Sequence, residues 1–288
     1  MITEDDVRFG WIPSSDEKQR LHNSRYAFTL FFPMVYAQAV EYMFPYDARF
    51  TSWYDQDAKN ACVGASWSQY MAMCNFEELG VMQYDWWKLY SWACANDNDP
   101  ATSAKADVGT YLWAAGDCLR KIGHWQIING VAQPPDIKHG IKSYYWIKSA
   151  EECRTAIGQH KRPLEFGVRW HKGWMNPVLK NGEYWLPPRA KWGPVVGGHA
   201  ICADAGSDQR GGDRWHNTWG AEYPPVWVSY EDIDYILTQD YGECCVAIDI
   251  EPEPEPDPDP VEAAVPETIF GTDEDGKLYS WKLEEVVA

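Results

Sequence analysis

The pattern of hydrophobic and polar positions changes character near the middle of the chain. Residues 62–79, closed by Gly80, read as a helix, as do the aromatic stretch 85–95 and residues 108–122, closed by Gly123. A shorter helix is expected at 150–158. From 164 onward strands dominate, at 164–170, 199–205, 214–217, 226–229 and 243–250. A helix-rich first half followed by a β-rich second half predicts an α+β fold of two lobes with a cleft between them.

Residues 251–260 then alternate an acid with proline without a break. Proline fixes φ and the like charges repel, so an extended spacer of about 30 Å is expected, at about 3.1 Å per residue. The spacer separates a body, residues 1–250, from a C-terminal part, residues 261–288. In that part residues 268–272 and 277–283 read as two strands around an acidic turn at 273–276. A lone hairpin is marginal in water. It is therefore expected to dock, on the body or on an assembly partner.

Charge sharpens this division. The chain carries a net −18, and residues 251–288 hold twelve acids against two lysines, a net of −10. The body has 31 acids and 23 bases, a net of −8. So acidic a tail argues against nucleic acid or anionic membrane as a partner. No run of 18 apolar residues exists, so no transmembrane helix is expected. The acidic N-terminus does not read as a secretory signal, and the apolar patch at 28–40 is interrupted by Pro33. A cytoplasmic or virion-associated location is expected. Seventeen Trp and seventeen Tyr can fill a core or line a groove; those of 84–92 read as lobe packing.

The eight cysteines are irregularly spaced and form no CxxC pair. A zinc ribbon or thioredoxin motif is therefore unsupported, and free thiols are expected. The adjacent Cys244 and Cys245 read as small buried hydrophobes. His22, His124, His139, His160 and His171 show no metal-ligand spacing, so neither metal nor cofactor is expected.

One set of residues has the parts of a thiol hydrolase: a nucleophile, a base, an orienter for the base and an oxyanion hole. Cys62 opens the first helix, where the dipole favours a thiolate. Gln56 lies six positions before it, within reach of a folded loop. Gly197-Gly198-His199-Ala200 sets two glycines, which permit close approach of another chain, before a histidine that opens a strand. Asn217, in Trp215-His216-Asn217-Thr218-Trp219-Gly220, lies on a neighbouring strand from which it could hold the His199 ring. His216 should point to the opposite face.

In this order and spacing the motifs resemble the papain-like cysteine peptidases, in the style of bacterial and phage members. The family's glutamine and cysteine correspond to Gln56 and Cys62, its Gly-His-Ala to residues 198–200, and its Asn-Ser-Trp-Gly to residues 217–220. The Cys62-to-His199 gap of 137 residues falls within the roughly 130–150 of that family. Gly10-Trp11-Ile12-Pro13 resembles the opening motif of bacterial and viral members. Asp107-Val108-Gly109-Thr110 resembles the glycine segment beside the substrate, and residues 226–232 the closing strand and turn. The likeness spans residues 8–250. It implies a two-lobed papain-like fold and a peptide or protein substrate. Cys62 would be the nucleophile, His199 its ion-pair partner and Asn217 the orienter. Gln56 would be an oxyanion donor, Trp219 a shield, and Gly109 and Gly198 substrate-backbone neighbours.

Departures from the family pattern are Val63 after the nucleophile, Lys59 at a disulfide position of secreted members, and Thr218 for serine. The roughly 50 residues before Gln56 are too few for the long inhibitory propeptide of lysosomal members, so control of that kind is not expected. Peptide-bond hydrolysis by a Cys-His-Asn mechanism through a thioester is the leading reading. A catalytically silent papain fold serving a phage particle or another assembly, anchored by its tail, is the alternative. A wall-directed amidase is a third, without a recognisable wall-binding repeat.

Overall fold

The computed structural model describes residues 7–14, 40–44, 54–74, 83–249, 268–272 and 278–282. The acid–proline run, the turn of the C-terminal hairpin, most of the 28–40 patch and the expected helix end at Gly80 lie outside them. The chain divides into two units, Met1–Ile250 and Glu251–Ala288.

In the first unit the helices are α1 (Cys62–Cys74), α2 (Trp86–Asn96), α3 (Leu112–Lys121), α4 (Ala150–Gly158) and α5 (Tyr230–Gln239). Every α1 residue except Cys74 is buried, so α1 is an apolar rod enclosed by the first lobe. The starts of α2, α4 and α5 are fixed by Asp85, Ser149 and Ser229, whose side chains accept from the backbone N–H three residues on. Helix α3 begins four residues later than the sequence predicts. Asp107 (φ +52°) and Gly109 (φ +103°) hold left-handed backbone that no helix admits. Thr110 is paired in a β-bridge with Trp11.

The strands are β1 (Glu41–Met43), β2 (Ile127–Ile128), β3 (Val131–Ala132), β4 (Ile141–Ile147), β5 (Leu164–His171), β6 (Val178–Lys180), β7 (Glu183–Trp185), β8 (Val195–Ser207), β9 (Gly212–His216), β10 (Val226–Ser229) and β11 (Glu243–Asp249). Apart from the β2–β3 hairpin they form one sheet in the order β4-β11-β5-β8-β9-β10-β7-β6, with β1 also paired to β8. Only the β10–β7 contact is parallel. In the second unit β12 (Thr268–Thr272) pairs antiparallel with β13 (Leu278–Lys282), at the positions read as a hairpin.

The sheet separates two cores, and the two-residue period of its strands assigns each side chain to one of them. On β8, Ala200 and Cys202 join the core around α1 and α3, whereas Ile201 and Ala203 join the core around α4 and α5. On β11, Cys245 and Ala247 face the first core and Cys244 and Val246 the second. The neighbouring cysteines thus serve opposite faces, and all eight cysteines are free thiols.

Candidate active site

Cys62 is the first residue of α1 and is fully buried. Its Sγ accepts a hydrogen bond from the Ala200 N–H at 3.3 Å. The tip of the first lobe's central helix therefore meets the second lobe's longest strand one residue beyond His199.

His199 Nε2 lies 2.8 Å from Asn217 Oδ1. That oxygen also accepts from the Thr218 N–H at 2.6 Å. An amide oxygen can only accept, so Nε2 carries the proton and Nδ1 presents its lone pair. Nδ1 has no hydrogen-bond partner among the described residues. The ring is held by aromatics. Trp219 lies 4.4 Å away, tilted 32°, and Trp170 meets it edge-on at 5.1 Å. Asn217 immediately follows β9, which ends at His216, whereas the expected strand ran on to 217. His216 itself sits against Asp204, 3.9 Å away, on the face away from His199, as the strand period requires.

Gln56 is fully buried and anchored through Oε1, which accepts from Thr218 Oγ1 at 2.7 Å. Its Nε2 donates to Lys59 O at 2.7 Å and to Arg8 O at 3.0 Å. The second acceptor belongs to the segment 7–14, which lies in the cleft. Gly10 O accepts from Thr110 N at 2.8 Å, Ile12 N donates to Thr110 O at 2.9 Å, and Trp11 N donates to Gly198 O at 2.9 Å. Phe9 stands edge-on to both His199 and Trp219.

The sequence reading set aside a long inhibitory propeptide and gave residues 7–14 no place beside the candidate site, where the structure puts them as one extended strand of chain. The pairing expected at Gly109 also differs in detail. Thr110 makes its hydrogen bonds, while Gly109 contributes close approach: a Cβ there would lie 2.3 Å from Gly10 O.

Covering the site changes its charge state. Burial pushes the Cys62 thiol up to about 12, against the opposing pull of the Ala200, Gly10 and Val63 N–H groups. Burial also pushes His199 down to about 3, with the Asn217 bond acting the other way. Burial thus disfavours the charged form of each group, the thiolate and the imidazolium alike.

Known proteins can now be set beside this geometry. Xylellain, a cysteine protease from Xylella fastidiosa, superposes with a TM-score of 0.60 at 15% identity, over 85% of this chain and 97% of its own. The fold is that of the papain-like cysteine proteases. The ragweed pollen protease Amb a 11 in its proform gives 0.54 at 14% identity, over 84% and 77% of the two chains. The Carica candamarcensis protease CMS1MS2 in complex with E-64 gives 0.52 at 11%, over 74% and 100%. No family model matches the sequence, and no curated protein matches it.

Several contributors escaped the sequence reading. Trp170 packs on the candidate base, Trp11 fills the cleft, and Glu243 receives the Trp11 indole. Trp11 lay within a recognised motif but without a role. Glu243 could have been noticed as an acid opening an otherwise buried strand. Among the described residues, no group of His, Cys, Asp and Glu side chains could hold a metal ion, and no helix is long and apolar enough to cross a membrane.

Proposed function

We propose that the chain is a cysteine peptidase that hydrolyses peptide bonds through a thioester, and that its own 7–14 segment holds it latent. The observation carrying this reading is the convergence of three groups. Cys62 Sγ sits at a helix N-terminus against the Ala200 N–H, the adjacent His199 offers a bare Nδ1, and Asn217 fixes the ring from behind.

Withdrawal of the segment admits water. Solvation then favours both charged forms, and the thiol proton moves to His199 Nδ1. The thiolate attacks the substrate carbonyl carbon, and the oxyanion is met by Gln56 Nε2 and the Cys62 N–H. The C–N bond breaks as His199 returns the proton to the leaving amine, leaving a thioester. Water, deprotonated by His199, attacks the thioester, releasing the acid and restoring the thiol.

In this reading residues 1–250 form the catalytic body, 251–260 the spacer, and 261–288 a segment for an assembly partner. The test compares the full chain carrying Gly10→Ala with the same chain also carrying Cys62→Ala, on a mixed peptide pool read by mass spectrometry. A Cβ on residue 10 would lie 1.7 Å from Asn60 O, so the substitution expels the segment. Cleavage by the first chain and not the second is expected. A pool left intact by both would replace this reading with a silent fold.

A further inference from the structure

On the first-lobe side of the cleft, Thr110 pairs with the covering segment through both of its backbone groups. Its N–H donates to Gly10 O at 2.8 Å, and its C=O accepts from the Ile12 N–H at 2.9 Å. A peptide that takes the segment's place meets the same two groups, so their aim decides how well it is held.

The chain on either side of Thr110 does little to fix that aim. Gly109 precedes it at φ +103°, backbone that glycine adopts readily and other residues do not. Tyr111 follows as the N-cap of α3 and makes no side-chain capping bond. The stiffness comes from the end of α2. Asp97 is the C-cap residue of that helix and is fully buried. Its Oδ2 accepts from Thr110 Oγ1 at 2.8 Å, thirteen residues on. Its Oδ1 accepts from the Asp99 N–H at 2.9 Å, and the two oxygens lie 2.7 and 2.6 Å from Thr102 Oγ1. The Thr102 and Asp99 bonds close the loop locally; the Thr110 bond is the one that reaches the cleft. A β-branched side chain has few χ1 choices, so fixing Thr110 Oγ1 also fixes the backbone that bears it.

We propose that Asp97 is a positioning residue: through the Thr110 hydroxyl it aims the Thr110 N–H and C=O at the chain lying in the cleft, first the covering segment and then a peptide substrate. The proposal rests on the peptidase reading for the substrate, but not for the pairing with the segment. The test therefore has one readout for each.

The first readout takes the segment itself as the probe, in the full chain with residues 7–14 unaltered. Asp97→Ala and Thr110→Val each remove the tie. Loss of about one hydrogen bond should raise the rate of Cys62 alkylation about three- to tenfold, with Cys118 unchanged. Thr102→Val takes a hydroxyl of the same kind from the same carboxyl without touching Thr110, and should leave the rate as it was. Asp97→Asn, whose amide can still bond Thr110 Oγ1, should keep most of the closure. Should Asp97→Ala not fold, Thr110→Val and Thr102→Val carry the comparison. The second readout is turnover of whichever peptide the Gly10→Ala chain cleaves fastest. Adding Thr110→Val should raise KM by a similar factor with kcat little changed. Equal acceleration by Thr102→Val and Thr110→Val would make the carboxyl a loop staple and overturn the proposal. So would a Cys62 rate that Thr110→Val leaves untouched, or a KM that it leaves unchanged. An opened chain that cleaves nothing would sink the peptidase reading and leave the first readout to decide on Asp97.

Discussion

Replacing Trp11 by alanine should unmask Cys62. The indole is almost wholly buried among the first-lobe core residues and bonded to Glu243. Deleting a buried Trp side chain typically costs about 3–5 kcal/mol. Here that loss falls on docking of the segment, which otherwise holds to the body through backbone hydrogen bonds, the Phe9 ring and the buried Val7. At about 1.4 kcal/mol per factor of ten, the open fraction should rise by about two to three and a half powers of ten, until opening is complete. The assay is the rate of iodoacetamide labelling at pH 7, resolved by residue. Cys118 in α3 is as buried as Cys62 but is not among the residues that hydrogen-bond the segment, so it reports global unfolding. Labelling of Cys62 should rise while that of Cys118 stays flat. If both rise together, or neither does, the segment is part of the core rather than a removable cover, and the reasoning fails.

Three further outcomes follow from the site and the body. In the opened chain Gln56→Ala should lower kcat by about 100- to 1000-fold with a smaller change in KM; an unchanged kcat would remove Gln56 from the oxyanion hole. Glu165 is buried, takes a hydrogen bond from Ser66, and is pushed well above the usual carboxylate range by burial. Its folded form keeps a proton that the unfolded chain sheds above about pH 4.3, so the folded state loses ground as pH rises, by up to about tenfold in the folding equilibrium per pH unit. Glu165→Gln should therefore raise the melting temperature at pH 8 and do little at pH 4; the reverse order would refute the assignment. Removing residues 251–288 should leave the melting temperature of the body unchanged, and a large fall would show that the hairpin is part of it.

The Cys62, His199, Asn217 and Gln56 positions were legible because each is tied to a short motif whose local geometry is nearly self-contained. Strand β10 and helix α4 were legible for the same reason: a short continuous apolar run in one, a serine cap with acids behind it in the other. Helix α5 was missed although Ser229 and Asp232 announce it, because the preceding strand drew the residues after it into a turn. The start of α3 was misplaced because the left-handed backbone at Gly109 and the pairing of Thr110 depend on residues about a hundred positions away. The covered cleft lay beyond local reading altogether. Trp11 meets Glu243 across 232 residues of chain, and nothing near either residue marks the other.

The central claim is a thiol–imidazole site that its own N-terminal segment keeps neutral. Its most direct test is the pH profile of Cys62 alkylation, from pH 4 to 9, in the unaltered full chain and in the chain carrying Gly10→Ala. The unaltered chain should label slowly throughout, since burial holds the thiol near 12. The opened chain should label rapidly already at pH 5–6, and His199→Ala should abolish that rapid phase. An opened chain whose labelling begins only near the ordinary cysteine value of about 8.5, with or without His199, would contradict the account.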